Sequence, residues 1–91
     1  MSKLDKLLEK LLSRASDANF AFEDVRYILL RCGFEEDVKG GHHIFTRDGV
    51  LEQANLQRVR GSDDAKPYQV RQVRNLVLKY HLGGETHDDK I

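Results

Sequence analysis

The change from helix to strand falls within residues 28–49 of this chain, which read ILLRCGFEEDVKGGHHIFTRDG. Before it, four apolar residues at i, i+3, i+4 and i+7 predict a helix from about Phe22 to Cys32: Val25, Ile28, Leu29 and Cys32. Gly33 follows where helices commonly end in a left-handed residue, because glycine has no Cβ that opposes a positive φ. Beyond Gly33 the apolar period shortens toward two, which is typical of strands.

Three strands are expected in this second part of the chain, at residues 34–38, 42–47 and about 50–56. Residues 39–41, KGG, form the first turn. Asp48-Gly49 is a strong signal for a two-residue hairpin loop, because both positions of a type I′ turn need positive φ. Such a loop places residue 47 opposite 50, 45 opposite 52, 43 opposite 54 and 42 opposite 55.

Two further helices frame the segment from residue 20 to residue 66. The first covers residues 2–15, where leucines recur at helical spacing after the N-cap candidate Ser2. The last begins at Pro67, whose fixed φ suits a first helical position, and Gly83-Gly84 ends it. Its apolar stripe is Val70, Val73, Leu76, Val77 and Tyr80. The order is therefore α-α-β-β-β-α, an α+β fold in which helices cover one face of a three-stranded antiparallel sheet.

Composition excludes several classes of protein. The 91 residues fit one small domain, and the longest apolar run has about four residues, too short for a membrane span or a secretory signal. The single cysteine, Cys32, cannot form an internal disulfide, and no close-spaced Cys/His set suggests a metal. We expect a cytoplasmic protein. Fifteen basic and fifteen acidic residues cancel, but residues 39–82 carry eight basic against four acidic ones, an asymmetry that suggests a polyanion-binding surface.

Strand alternation separates the two adjacent histidines. His43 shares a face with Phe45, Ala54 and Leu56, the more apolar side of the hairpin, so His42 is expected to face solvent. An imidazole titrates near neutral pH and can transfer protons, while a Gly-Gly turn lets backbone N–H groups approach a phosphate. The alternative from spacing alone is that the two histidines only close the turn and support the hairpin.

Three motifs in this order resemble the HicA family, the mRNA-cleaving toxins of bacterial and archaeal toxin–antitoxin pairs. They are LLRCGF at residues 29–34, KGGHHIF at 39–45 and YQVRQV at 68–73. The resemblance covers about residues 20–82. It divides the chain into an extra N-terminal amphipathic helix (1–16), a HicA-like domain with the fold of double-stranded RNA-binding domains (17–84) and a flexible tail (85–91). The third strand lacks the proline and histidine that are familiar in the family.

The resemblance implies a metal-independent endoribonuclease that needs no cofactor and acts on mRNA, with a HicB-type antitoxin as partner in a hetero-oligomer. The family's catalytic histidine falls on His42, and His43 is the second choice. Cations and glycines around it are the expected RNA-binding residues: Lys39, Gly40, Gly41, Arg47, Lys66, Arg71 and Arg74. Two other functions stay open, a non-catalytic RNA-binding module and a protein-binding adaptor that pairs its first helix with another chain.

Overall fold

The computed structural model describes residues 2–15 and 17–83. It contains α1 (Lys3–Ser13), a short 3-10 turn (Asp17–Asn19), α2 (Phe22–Arg31), β1 (Glu35–Lys39), β2 (His42–Thr46), β3 (Ala54–Gln57) and α3 (Pro67–Tyr80). The predicted order α-α-β-β-β-α and the α+β class are confirmed. The predicted tail at 85–91 lies outside the described residues.

The helix ends follow the local signals in the sequence. Ser2 Oγ accepts a hydrogen bond from the backbone N–H of Asp5 at 3.1 Å, so Ser2 is the N-cap of α1. Gly33 has a φ of +92° and follows α2, as predicted. Pro67 occupies the first turn of α3, where its missing N–H costs no helical hydrogen bond.

The first helix belongs to the same core as the other elements. Leu4, Leu8 and Leu11 are buried with residues of α2 and α3, and Arg74 of α3 donates a hydrogen bond to the Leu11 carbonyl oxygen at 3.3 Å. The leucine face of α1 is thus already occupied within the chain. Leu12, at the margin of this face, is 42% exposed and lines a shallow hollow with Leu78 of α3.

The sheet is an antiparallel meander in the order β1-β2-β3, with one face in the core. On β3, Ala54 and Leu56 are buried whereas Asn55 and Gln57 are exposed. Phe45 of β2 lies opposite Ala54, and both are fully buried. This alternation gives the sheet a helix-covered face and an open face, as the sequence predicted.

The predicted pairing of β2 with β3 is wrong by two residues. His42 lies opposite Gln57 and Phe45 opposite Ala54, and the third strand begins at Ala54 rather than near Val50. A turn does form at Asp48-Gly49, since the Val50 N–H donates to the Arg47 carbonyl oxygen at 3.1 Å, but it opens a longer loop.

Glu52 gives a physical reason for that longer loop. The predicted pairing would set its carboxylate opposite Phe45 on the buried face, and burying an unpaired carboxylate is costly. In the loop Glu52 instead accepts hydrogen bonds at 2.5 Å from Lys79 Nζ and from the Tyr80 hydroxyl. Because the shift is by two residues, every side chain of β2 and β3 keeps its predicted face.

Candidate functional site

His42 stands at the start of β2, directly after a turn that requires glycine. Gly40 and Gly41 have φ values of +56° and +85°, in the left-handed region that L side chains rarely adopt. No other atom lies within 4 Å of the space where a Cβ would project from either glycine. The turn is therefore open to solvent, and it presents His42 on the open face of the sheet.

The exposed imidazole of His42 is held by one neighbour on β3. Its Nδ1 lies 3.2 Å from Oδ1 of Asn55. With that amide oxygen as acceptor, Nδ1 carries the proton of the neutral ring, and Nε2 keeps the lone pair that can accept a proton. This arrangement is compatible with the tautomer that a general base at Nε2 needs.

A shallow pocket of about 240 Å³ lies beside this imidazole. Five residues line it, from the sheet and from the first turn of α3: His42, Asn55, Gln57, Tyr68 and Gln69. Gln69 is fully buried, and its side-chain amide donates to the Gln57 carbonyl oxygen at 3.3 Å. That hydrogen bond ties the beginning of α3 to the end of β3, so the two walls of the pocket are fixed to each other.

His43 has a different environment from its neighbour. Its side chain is 14% exposed, its ring packs edge-on against Phe22 with centroids 5.0 Å apart, and its Nδ1 lies 2.7 Å from Oε2 of Glu36. These contacts hold His43 against the helices. Between the two histidines, His42 is the one that a large substrate can reach.

Glu36 is the centre of an ionic cluster that the sequence analysis missed. Arg26 donates to both of its carboxylate oxygens, at 2.9 and 2.8 Å, and also to Glu23, which accepts from Arg58 as well. The hydrogen bonds from Arg26, helped by His43, lower the pKa of Glu36 to about 2. In the sequence, Glu35, Glu36 and Asp37 look like one solvated acidic run, and nothing local marks the middle one.

Three of the expected RNA-binding cations lie on the side of His42. Lys39 is its direct cross-strand neighbour on β1 and forms an exposed ion pair with Asp37 at 3.4 Å. Lys66 directly precedes α3, and its Nζ lies 5.8 Å from the ring centroid of Tyr68. Arg71 is exposed on α3.

Arg47 is not part of this group. It follows the far end of β2, five residues from His42, which corresponds to about 16 Å along an extended strand. Arg47 lines a separate hollow with Gly33, Glu35 and Asp48. Of the expected RNA-binding residues, Arg47 therefore lies at the opposite end of β2 from Lys39 and His42.

Arg74 is buried rather than available to RNA. Its side chain is 6% exposed, and its guanidinium donates to both carboxylate oxygens of Asp17, at 2.8 and 3.0 Å. Those hydrogen bonds lower the pKa of Asp17. The sequence held a signal for this, because Arg74 stands four residues after Val70 and three before Val77 on the apolar stripe of α3.

A second hollow, of about 380 Å³, runs along α3 next to the loop between β2 and β3. Eight residues line it: Glu52, Gln53, Tyr68, Arg71, Gln72, Asn75, Leu76 and Lys79. Tyr68 lines this hollow and the His42 pocket alike, and 53% of its surface is exposed. We name the two hollows together the His42–Lys79 groove. The sequence analysis included Tyr68 in the YQVRQV motif but assigned it no role.

The described ranges, 2–15 and 17–83, lack two features that would bear on function. They contain no group of three His, Cys, Asp or Glu side chains placed to hold a metal ion. They also contain no helix that is long and apolar enough to cross a membrane.

Comparisons with known proteins give no match for this chain. No protein-family model, no curated protein and no solved structure is similar to it at a significant level.

Proposed function

We propose that this chain is a metal-independent endoribonuclease that cleaves mRNA, a toxin of the HicA type, with His42 as its general acid/base. The observation that carries the proposal is the placement of His42. Its imidazole is exposed on the open face of the sheet, in contact with Asn55, next to Lys39 and in a pocket that Tyr68 also lines. The proposed reaction and substrate class come from the resemblance of the motifs in residues 29–73 to the HicA family.

The chemistry starts at the free ring nitrogen of His42. Nε2 takes the proton of a ribose 2′-hydroxyl as that oxygen attacks the adjacent phosphorus. The bond from phosphorus to the 5′-oxygen breaks, and the 5′-oxygen takes a proton from water. The products are a 2′,3′-cyclic phosphate and a 5′-hydroxyl end, and the imidazolium then releases its proton to solvent. DNA lacks the 2′-hydroxyl and is not a substrate for this route.

A single acid/base group limits the rate of this reaction. The other residues that line the pocket are Asn55, Gln57, Tyr68 and Gln69, none of which ordinarily titrates near neutral pH. One positioned general base contributes about 10²–10⁴-fold. We therefore propose a slow nuclease, which suits a toxin that needs few cuts.

The partner of this nuclease is proposed from the family resemblance. A HicB-type antitoxin that covers His42 and the neighbouring cations would block the access of RNA sterically, in a cytoplasmic hetero-oligomer. Charge contributes to such an interface, so its affinity falls as salt rises. A short open reading frame beside this one that encodes an antitoxin-like protein would support the assignment.

Cleavage by purified variants tests the proposal. We expect His42→Ala to lose about 10²-fold or more of its activity on a labelled transcript, with an unchanged circular dichroism spectrum. His81→Asn is the matched control, because His81 caps α3 with a φ of +54°, which asparagine tolerates, and lies outside the pocket. A His42→Ala protein that cuts RNA and arrests growth like the parent would contradict the assignment.

An RNA-binding module without catalysis is the second candidate. The observation that favours it is that His42 is the one imidazole or carboxyl group among the residues that line the pocket, whereas efficient acid/base catalysis commonly uses a pair of such groups. It requires the cations and Tyr68 but not the imidazole. Salt-sensitive RNA binding that His42→Ala leaves unchanged, together with no cleavage products from the parent, would select this function.

A further inference from the structure

The His42–Lys79 groove has one aromatic ring at its centre. Tyr68 lies in the first turn of α3, 53% exposed, and forms part of the wall of both hollows. An exposed tyrosine on a helix needs no explanation by itself. Its place between a pocket with an imidazole and a hollow with cations on the same helix is what points to a ligand.

The charges around that ring suit the phosphate groups of a nucleic-acid backbone. Lys66 Nζ lies over one face of the ring, 5.8 Å from its centroid, which leaves the other face for a base, and Arg71 follows one helical turn later. Within residues 2–15 and 17–83, the guanidinium of Arg71 makes no hydrogen bond or salt bridge, although its charge helps to lower the pKa of Asp17. Farther along, Lys79 is neutralised by Glu52. The cations available to a ligand are therefore those next to Tyr68.

The amides of the groove add hydrogen-bonding groups of both kinds. Gln53, Gln72 and Asn75 line the hollow beside Arg71, and Asn55 and Gln57 line the pocket beside His42. Such groups can pair with the edges of an unpaired base, which offers both donors and acceptors. Bases inside a duplex are stacked on their neighbours and cannot offer a face to a single tyrosine.

We propose that Tyr68 is a stacking platform for one unpaired base, and that the groove therefore takes single-stranded RNA rather than a duplex. The base stacks on the Tyr68 ring, the phosphate on one side of it reaches the His42 pocket, and the chain continues past Arg71. This inference rests on the proposed function for the nature of the ligand. It adds two statements to that function: the bound RNA is single-stranded, and Tyr68 contacts it.

Binding to an RNA that cannot be cleaved tests the platform separately from catalysis. The probe is a fluorescein-labelled eight-nucleotide 2′-O-methyl RNA of mixed sequence, used single-stranded and as a duplex with its complement. By anisotropy, we expect Tyr68→Ala to weaken single-strand binding by about 5- to 150-fold, the range typical of one base–aromatic stack. Tyr68→Phe keeps the ring and should bind like the parent. Tyr27→Ala, on α2, is the matched control for loss of a tyrosine elsewhere.

A fluorescence measurement checks contact with the ring directly. The chain contains no tryptophan, so Tyr68→Trp introduces a single indole at the platform. Stacking on a base should quench its emission as the single-stranded probe is added, whereas the indole of Tyr27→Trp should not respond. Equal affinity of Tyr68→Ala and the parent, an unresponsive indole at position 68, or tighter binding of the duplex would each overturn the proposal.

The outcomes separate this proposal from the proposed nuclease. A parent protein that cuts RNA through His42 while Tyr68→Ala binds the probe normally overturns the platform and leaves the nuclease standing. A parent protein that never cuts RNA but loses single-strand binding in Tyr68→Ala supports the platform and overturns the nuclease. Absence of any binding to the single-stranded probe overturns the platform.

Discussion

Nδ1 of His43 lies 2.7 Å from a carboxylate oxygen of Glu36, on the face of the sheet that packs against the helices. The preceding residue, His42, points to the opposite face and touches Asn55. Two neighbouring imidazoles therefore have separate environments, because one residue along a strand reverses the direction of the side chain. His43 stabilises the fold, and His42 is available for chemistry.

This difference predicts that alanine variants of the two histidines differ in stability. His43→Ala removes the contact with Phe22 and a hydrogen bond to Glu36, so the free energy of unfolding should fall by about 1–3 kcal/mol. His42→Ala loses an exposed hydrogen bond only, and its stability should stay within about 0.5 kcal/mol of the parent. Urea denaturation of both proteins measures the difference. Equal stabilities of the two variants would contradict this prediction.

Acid should weaken the protein through Glu36. The hydrogen bonds from Arg26 lower its folded-state pKa to about 2, below its ordinary value of 4.5, so the unfolded chain binds more protons between these values. The stability contributed by this group is complete above about pH 4.5 and is lost as the pH falls toward 2. Urea midpoints measured from pH 6 to pH 2 should therefore decline more steeply for the parent than for Glu36→Gln.

Glu52 provides the matched control for that experiment. The pKa of Glu52 is also lowered to about 2, by hydrogen bonds from Lys79 and Tyr80, but its side chain is 42% exposed. Solvent and salt screen such surface pairs. Glu52→Gln should change the acid dependence less than Glu36→Gln does in 0.5 M salt. The reverse order would show that the Glu36 cluster is not the dominant acid-sensitive element of the two.

Because Arg74 is buried and Arg71 is exposed, we expect their replacement to affect different properties. Arg74→Met leaves the Asp17 carboxylate without its partner in a mostly buried place, which should cost about 3–5 kcal/mol of stability. Arg71→Met, one helical turn away, should leave stability almost unchanged. It should weaken RNA binding instead, and lower the slope of log affinity against log salt by about 1.

Denaturation and a salt titration of RNA binding measure these two arginine variants. Arg74→Met is assayed for binding at a temperature where it is folded, and there its affinity should equal that of the parent. Loss of RNA affinity by folded Arg74→Met, with no effect of Arg71→Met, would contradict the placement of the RNA surface.

Asn55 should act on the reaction through His42. Removal of its amide in Asn55→Ala frees the imidazole to change tautomer, and the cleavage rate should fall by about fivefold, the factor that corresponds to about 1 kcal/mol for one hydrogen bond. Asn55→Asp places a carboxylate beside Nδ1, so the apparent pKa in the pH–rate profile should rise. An unchanged profile in Asn55→Asp would exclude this positioning role.

The amino-acid sequence determined the secondary structure and the faces of the sheet. The helical stripe before Cys32, the positions of Gly33 and Pro67 and the alternation around His42 depend on neighbours a few residues away, and local stereochemistry decides them. The exposure of His42 was predictable even though the strand pairing was not, because a shift of two residues preserves every face.

Only the tertiary structure decided which charged residues meet. Asp17 and Arg74 are 57 residues apart in the chain, and Glu52 reaches Lys79 across 27. No local period encodes such pairs, since they depend on how the helices pack against the sheet. That packing buried Arg74, extended the loop before Ala54 and brought Tyr68 to the side of His42.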